Sequence, residues 1–157
     1  MEKKNKTVIV TGGTRGIGLK IVKKYLSEGW DVIILSRNSE FEESLSSSEL
    51  KKITSYKCDL TKQNEVMKIA ELLKNKSVNA LISNVGSGSG SRDVFPPDEE
   101  WNKIWDINFT SSKNTAKYFH KLLEKNNGHL IFISSIAGVE FLDAPIAYSV
   151  SKSALIT

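Results

Sequence analysis

The sequence predicts an α/β fold, a parallel sheet wound with helices on both faces, and three observations predict it. Short β-branched and aliphatic runs at residues 7–10, 31–35, 53–56, 80–84 and 130–133 alternate with stretches of helical period, the pattern of parallel strands joined by right-handed helical crossovers. Runs such as Val32-Ile33-Ile34-Leu35 show no polar alternation, as strands covered on both faces require. A glycine-rich loop sits between the first run and the first helical stretch, supplying the tight turn that a strand-to-helix unit needs.

The elements follow in order. Ile17, Ile21, Val22, Tyr25 and Leu26 recur at helical spacing, and Gly29 supplies the stop. Lys20, Lys23 and Lys24 then face water. Residues 44–48, rich in serine, read as a loop or a poor short helix, while 64–73 restores the helical period. Residues 86–91 alternate glycine and serine at the carboxyl end of the fourth strand, either a flexible linker or a mobile lip on a cleft, since open α/β sheets bind ligands at that edge. Trp101, Ile104, Trp105, Ala116, Phe119, Leu122 and Leu123 trace a long helix ending near Asn126-Asn127-Gly128.

Composition narrows the class. The 157 residues suit one domain spanning 1–157, and 39% hydrophobic with 25% charged residues describes a folded chain. No apolar run approaches the roughly 20 residues of a spanning helix, so no membrane partner is expected. Met1 to Lys6 show no signal peptide, which makes the cytoplasm the expected location. The net charge of +4 comes from lysines scattered along the chain, which reads as solvated surface and not as a nucleic-acid stripe. Cys58 alone cannot form an internal disulfide, and with His120 and His129 it cannot build a multi-cysteine zinc site, so no metal is expected.

Thr11-Gly12-Gly13-Thr14-Arg15-Gly16-Ile17-Gly18 follows the first strand and opens the first helix. Glycines let the backbone approach a pyrophosphate, whose charge meets free N–H groups and the positive end of the helix dipole. A Walker loop would need Lys and Ser or Thr after Gly18, but Leu19 and Lys20 stand there. At the end of the second strand, where an NAD protein offers a carboxylate to the ribose 2′-hydroxyl, this chain has Ser36-Arg37-Asn38. Arg37 suits a 2′-phosphate through a charge-assisted fork, Ser36 can donate to it, and Arg15 can approach from the loop. The expected cofactor is NADP(H).

Tyr148 and Lys152 lie four residues apart, one above the other on a helical face. A free phenol titrates near 10 and is a poor proton shuttle at neutral pH. A fixed cation stabilises the phenolate, and a shift of about three units takes roughly 4 kcal/mol. With the glycine loop, Asn84-Val85-Gly86, Asn108, Ser135 and Tyr148-x-x-x-Lys152 in order, the chain resembles the short-chain dehydrogenase/reductase family, in its ordinary branch with Gly-x-x-x-Gly-x-Gly.

That resemblance implies a Rossmann-type doubly wound sheet of order 3-2-1-4-5 and hydride exchange between nicotinamide and a carbonyl or secondary alcohol, such as a 3-oxoacyl thioester, a sugar or a small ketone. It makes Tyr148 the general acid, has Lys152 hold the nicotinamide ribose and stabilise the phenolate, and has Ser135, in preference to Ser134, bond the substrate oxygen. Asn108 would anchor a water relaying protons to Lys152. Asp59, in Cys58-Asp59-Leu60, would contact the adenine, and residues 84–86 would stabilise the sheet and line the cofactor, although Ser83 and Val85 depart mildly from the usual pattern. Family members continue beyond the Tyr-x-x-x-Lys helix with a sixth and a seventh strand and a substrate-covering region. The chain ends at Thr157 without a C-cap signal, so a C-terminally incomplete domain is expected. A naturally short, catalytically silent NADP-binding module is the alternative. The resemblance also implies that the fifth strand lacks its neighbour and that the helix bearing Trp101 and Trp105 faces a partner subunit, so a homo-oligomer, dimer or tetramer, is expected.

Overall fold

The computed structural model describes residues 5–156; Met1 to Lys4 and Thr157, on which the readings of the two chain ends drew, lie outside them. Five parallel strands, β1 (Thr7–Thr11), β2 (Asp31–Ser36), β3 (Ile53–Lys57), β4 (Ala80–Ser83) and β5 (His129–Phe132), form one sheet in the order β3-β2-β1-β4-β5. This is the order the resemblance implied. β1 pairs with β2 from Thr7 opposite Asp31 to Thr11 opposite Leu35, and with β4 through Val8 opposite Ala80.

Helix α1 (Gly16–Ser27) joins β1 to β2. Between β2 and β3 stands only α2 (Ser47–Leu50), one turn held by a reciprocal cap in which Ser46 Oγ accepts from Glu49 N and the Glu49 carboxylate accepts from Ser46 N. Helix α3 (Gln63–Leu73) leads to β4. The long helix expected before β5 runs as α4 (Asp98–Trp105), a π turn (Asp106–Thr110) and α5 (Ser111–Glu124) without a break. After β5, a short 3-10 turn (Ile136–Gly138) precedes α6 (Ile146–Ser153). Among the described residues, no helix is long and apolar enough to cross a membrane.

Successive side chains of each strand point to opposite faces, and this divides the core in two. Val8, Val10, Val32, Ile34, Ala80 and Ile82 pack with Val22 and Leu26 of α1. Ile9, Ile33, Leu35 and Leu81 pack on the other face with Val66 and Leu73 of α3 and Phe119, Leu122 and Leu123 of α5. Burying each such aliphatic side chain contributes about 1.5–3 kcal/mol, so the sheet is a rigid platform. Two expectations need correction. Ile17 does not join the apolar stripe of α1 and is 66% exposed, because the first turn of the helix projects past the carboxyl edge of the sheet. Lys23 is only partly exposed, since it pairs with Glu43 at 2.6 Å.

The strand order reverses between β1 and β4, and side chains hold that point together. Thr11 Oγ1 accepts from Asn84 N at 2.8 Å and Val85 N at 3.1 Å, while Asn84 Nδ2 donates to Thr11 O at 3.0 Å. Thr11 is wholly buried, so removing its hydroxyl strands two amides in a place water reaches poorly. Thr11→Val is expected to lower unfolding free energy by about 2 kcal/mol, measured by urea titration, with Thr11→Ser close to the parent. A Val variant within about 0.5 kcal/mol of the parent would show that the hydroxyl is dispensable.

Candidate active site

Outside the carboxyl ends of the strands lies a cleft of about 580 Å³. Its floor and walls come from Gly12, Thr14, Arg15, Gly16, Ile17 and Gly18 of the first loop, from Ser36, Arg37 and Asn38 after β2, from Cys58, Asp59 and Leu60 after β3, and from Asn84, Val85 and Gly86 after β4. Four chain segments far apart in sequence thus converge because the parallel strands all end at one edge. Thr11 does not line the cleft; it lies beneath, bonded to the residues after β4.

The glycine loop fits a pyrophosphate. A Cβ at Gly18 would stand 2.1 Å from Gly12 O, so only glycine lets the start of α1 pass this close to the strand end. Gly12 adopts φ +66°, a left-handed turn that costs glycine little. The N-cap of α1, Arg15, makes no side-chain capping bond, and its helix points its positive end at the cleft. Arg15 and Arg37 are both exposed at the mouth. The Ser36 hydroxyl donates to Asn38 O, so it is engaged with the chain. Asp59 Oδ1 accepts from Thr61 N at 3.1 Å and Thr61 Oγ1 at 2.8 Å, fixing the carboxylate. Burial, reinforced by the Glu65 and Asp59 carboxylates, pushes the Cys58 thiol up to about 11, so Cys58 is no nucleophile.

A second group gathers behind one wall of this cleft. On α6, Tyr148 and Lys152 stand one turn apart. Lys152 is buried, and its Nζ donates to Ile133 O at 2.8 Å. Burial pushes this ammonium below the usual lysine range. Ser134 Oγ donates to Lys152 O at 2.8 Å, tying α6 to the end of β5, whereas Ser135 caps the 3-10 turn by accepting from Ala137 N at 3.2 Å and keeps its own proton to donate. Asn108 is wholly buried in the π turn. Its Oδ1 accepts from Ser87 N at 2.9 Å, and its Nδ2 donates to Ser87 O at 3.0 Å and Ile104 O at 3.1 Å.

Residues 86–89 join the two groups. A Cβ at Gly86 would lie 2.8 Å from Asn108 Oδ1 and 2.9 Å from Lys152 Nζ, and one at Gly88 would lie 3.8 Å from the Tyr148 ring. Gly86, Ser87 and Ser89 also line the cleft, so this glycine-serine segment is its wall and not a linker. The structure therefore brings the loop residues, Arg37 and Asp59 into one cleft, and sets Tyr148, Lys152 and Asn108 just beyond its wall.

Thr61, Lys103, Ile107 and Ser111 also line the cleft, unnoticed in the sequence. Thr61 adjoins Cys58-Asp59-Leu60 and could have been found; Lys103 and Ile107 give no signal apart from helical period. A larger depression of about 1110 Å³ lies over the α1 face of β4 and β5, walled by Ile21, Tyr25, Trp30, Ile82, Ile131 and Ile133. Its charged lining residues, Lys20, Lys24, Glu28, Glu42 and Glu43, are engaged in the ion pairs Lys20–Glu43 and Lys24–Glu28 and in the bond from Gly16 N to Glu42, so the smaller cleft is the candidate site.

Comparison with known proteins agrees with this geometry. The chain is 32% identical over 165 residues to an uncharacterized oxidoreductase, YvrD, of Bacillus subtilis (strain 168), covering 100% of this chain and 61% of that protein. It is 32% identical to a tropinone reductase homolog of Arabidopsis thaliana, covering 96% and 60%. It thus spans about three-fifths of the length of these curated relatives. Among solved structures, a short chain dehydrogenase from Leptospira borgpetersenii with bound NAD+ superposes with a TM-score of 0.86 at 26% identity, covering 97% of this chain and 62% of that one. ElxO with NADP bound gives 0.86 at 29% identity, covering 97% and 64%. The family model described as short chain dehydrogenase matches residues 6–157, and the chain belongs to that oxidoreductase family.

Proposed function

We propose that this chain binds NADP(H) and serves an oxidoreductase that interconverts a carbonyl group and a secondary alcohol. The observation that carries the cofactor choice is the pair of exposed arginines, Arg15 and Arg37, at one mouth of the cleft, with no carboxylate in Ser36-Arg37-Asn38. A carboxylate there would repel a 2′-phosphate, and a guanidinium fork binds it. The NADP in ElxO and the NAD+ in the Leptospira protein support a nicotinamide dinucleotide in general, and the arginines favour the phosphorylated form. The cradle at Gly18 and the positive end of α1, where Gly16 N–H is held by Glu42 Oε2, fit its pyrophosphate. Asp59, steadied by Thr61, would meet the adenine.

The bound cofactor supplies or accepts the hydride. Tyr148 donates the proton to the substrate oxygen as a general acid, and Ser135 donates a hydrogen bond to that same oxygen. Lys152 sits one turn from Tyr148 with its ammonium buried, and it is the residue to hold the nicotinamide ribose. The Lys152 bond to Ile133 O and the grip of Asn108 on Ser87 hold this group in register with the cleft. The substrate is a small molecule such as a 3-oxoacyl thioester, a sugar or a simple ketone. A second reading, a dinucleotide-binding module without turnover, is favoured by one observation: Tyr148 and Lys152 stand behind residues 86–89 and do not line the cleft.

Titration of cofactor fluorescence is expected to show NADPH binding about tenfold or more tighter than NADH, and Arg37→Asp to abolish most of that difference. Equal affinities in the parent would refute the NADP(H) assignment. In assays of carbonyl reduction with NADPH, Tyr148→Phe should lose about 10² to 10⁴ of the rate; a loss smaller than tenfold would mean that another group supplies the proton. Self-association is also part of this reading. The outer edge of β5 pairs with no strand among the described residues, and Ile131 beside the apolar depression is 42% exposed, a combination that invites another strand. Sedimentation should show a dimer or larger species, and a monodisperse monomer at high concentration would contradict it.

A further inference from the structure

The segment between β2 and α2 folds back onto the phosphate loop through three consecutive residues. Phe41 packs against the α1-face core. Glu43 pairs with Lys20 at 2.7 Å and Lys23 at 2.6 Å on α1. Glu42, between them, bonds twice: its backbone N–H donates to Thr14 O at 2.9 Å, and its Oε2 accepts from Gly16 N at 2.9 Å. Thr14 and Gly16 flank Arg15, so one glutamate brackets the arginine on both sides.

Arg15 has an extended backbone, φ −152° and ψ 168°, and no capping bond of its own. An exposed residue in this state has little else to fix the direction in which its side chain leaves the loop. Glu42 lines the adjoining depression and not the cleft, and it reaches the loop at Thr14 O and Gly16 N. The same turn of chain begins at Arg37, five residues earlier; anchoring Glu42 therefore ties both arginines to one frame. We propose that Glu42 is a positioning residue: by bracketing Arg15 it holds the two guanidiniums ready for a cofactor 2′-phosphate and so sets the preference between phosphorylated and unphosphorylated dinucleotide. This rests on the NADP(H) reading above.

The carboxylate has an opposing effect. It stands at the N-terminus of α1, where the cofactor's own negative charge must come, and like charges there repel. Glutamine would keep an oxygen for Gly16 N–H and shed the charge. The backbone bond to Thr14 O needs no side chain and survives any substitution.

The test is to measure NADPH and NADH affinities by fluorescence titration in the parent, Glu42→Ala and Glu42→Gln. Glu42→Ala is expected to reduce the NADPH-to-NADH affinity ratio about three- to tenfold, the scale of one hydrogen bond, with NADH binding unchanged or tightened by loss of the carboxylate. Glu42→Gln should keep the parent ratio and bind NADPH at least as tightly as the parent. General loosening of the fold would weaken both cofactors alike and leave the ratio where it was. The inference is overturned if Glu42→Ala retains the parent ratio, or if Glu42→Gln loses as much of it as Ala does. Equal affinities in the parent overturn the NADP(H) reading itself and this inference with it; a parent preference that survives in Glu42→Ala overturns only the inference.

Discussion

The arrangement depends on how β1 and β4 are held where they part. Neighbouring parallel strands whose crossovers leave on opposite faces open a crevice at their carboxyl ends, and unpaired amides in that crevice would need water or a partner. Thr11 provides the partner, with one hydroxyl accepting from Asn84 N and Val85 N. Asn84 returns the bond through Nδ2 to Thr11 O. With that junction fixed, the glycine loop sits on one side and residues 86–89 on the other, and their spacing sets the width of the cleft. Val85 reaches across to Gly12, where an added Cβ would meet Val85 Cγ2 at 3.1 Å, so the two walls already touch at their base.

The placement of Tyr148 and Lys152 depends on a second junction, between β5 and α6. Lys152 reaches Ile133 O through its ammonium, and Ser134 reaches Lys152 O through its hydroxyl. Two bonds in opposite directions between the same two segments make a rigid corner. The cost of burying the ammonium is offset in part by that carbonyl, and the remainder appears as the downward push on its protonation.

The sheet was legible because its cause is local: buried β-branched runs such as residues 31–35 have no other comfortable home. Strand order followed from the resemblance, since periodicity does not say which strand neighbours which. The cleft was legible where glycine and charge speak for themselves, as at Gly12, Gly18 and Arg37. The π turn at Asp106–Thr110 was not, because its helical stripe from Trp101 to Leu123 reads as one uninterrupted helix. Glu42 was silent for a different reason. Its partners are backbone atoms of residues 14 and 16, and a backbone partner leaves no trace in residue type. Thr11 opens the glycine motif, and that its hydroxyl is directed inward to Asn84 and Val85 follows from the divergence of two strands that only the fold creates.

The π turn has a consequence for how this protein tolerates changes in chain length. A single wider turn accommodates one residue more than an α-helical turn does, and one residue is worth about 100° of rotation about the helix axis. Asp106–Thr110 is thus a phase shift: α4 upstream and α5 downstream keep their apolar stripes on the protein because the surplus residue is absorbed between them. A one-codon deletion within the turn would relax it to an ordinary helix with both stripes still in place, losing only the local widening that seats Asn108 against Ser87, whereas the same deletion within α5 would rotate one side against the other by about 100°. A deletion in the exposed loop at residues 92–95 would shift no stripe at all. Chain length is therefore constrained by geometry along α4 and α5, and the π turn is a place in this helix where one residue can leave without turning either stripe.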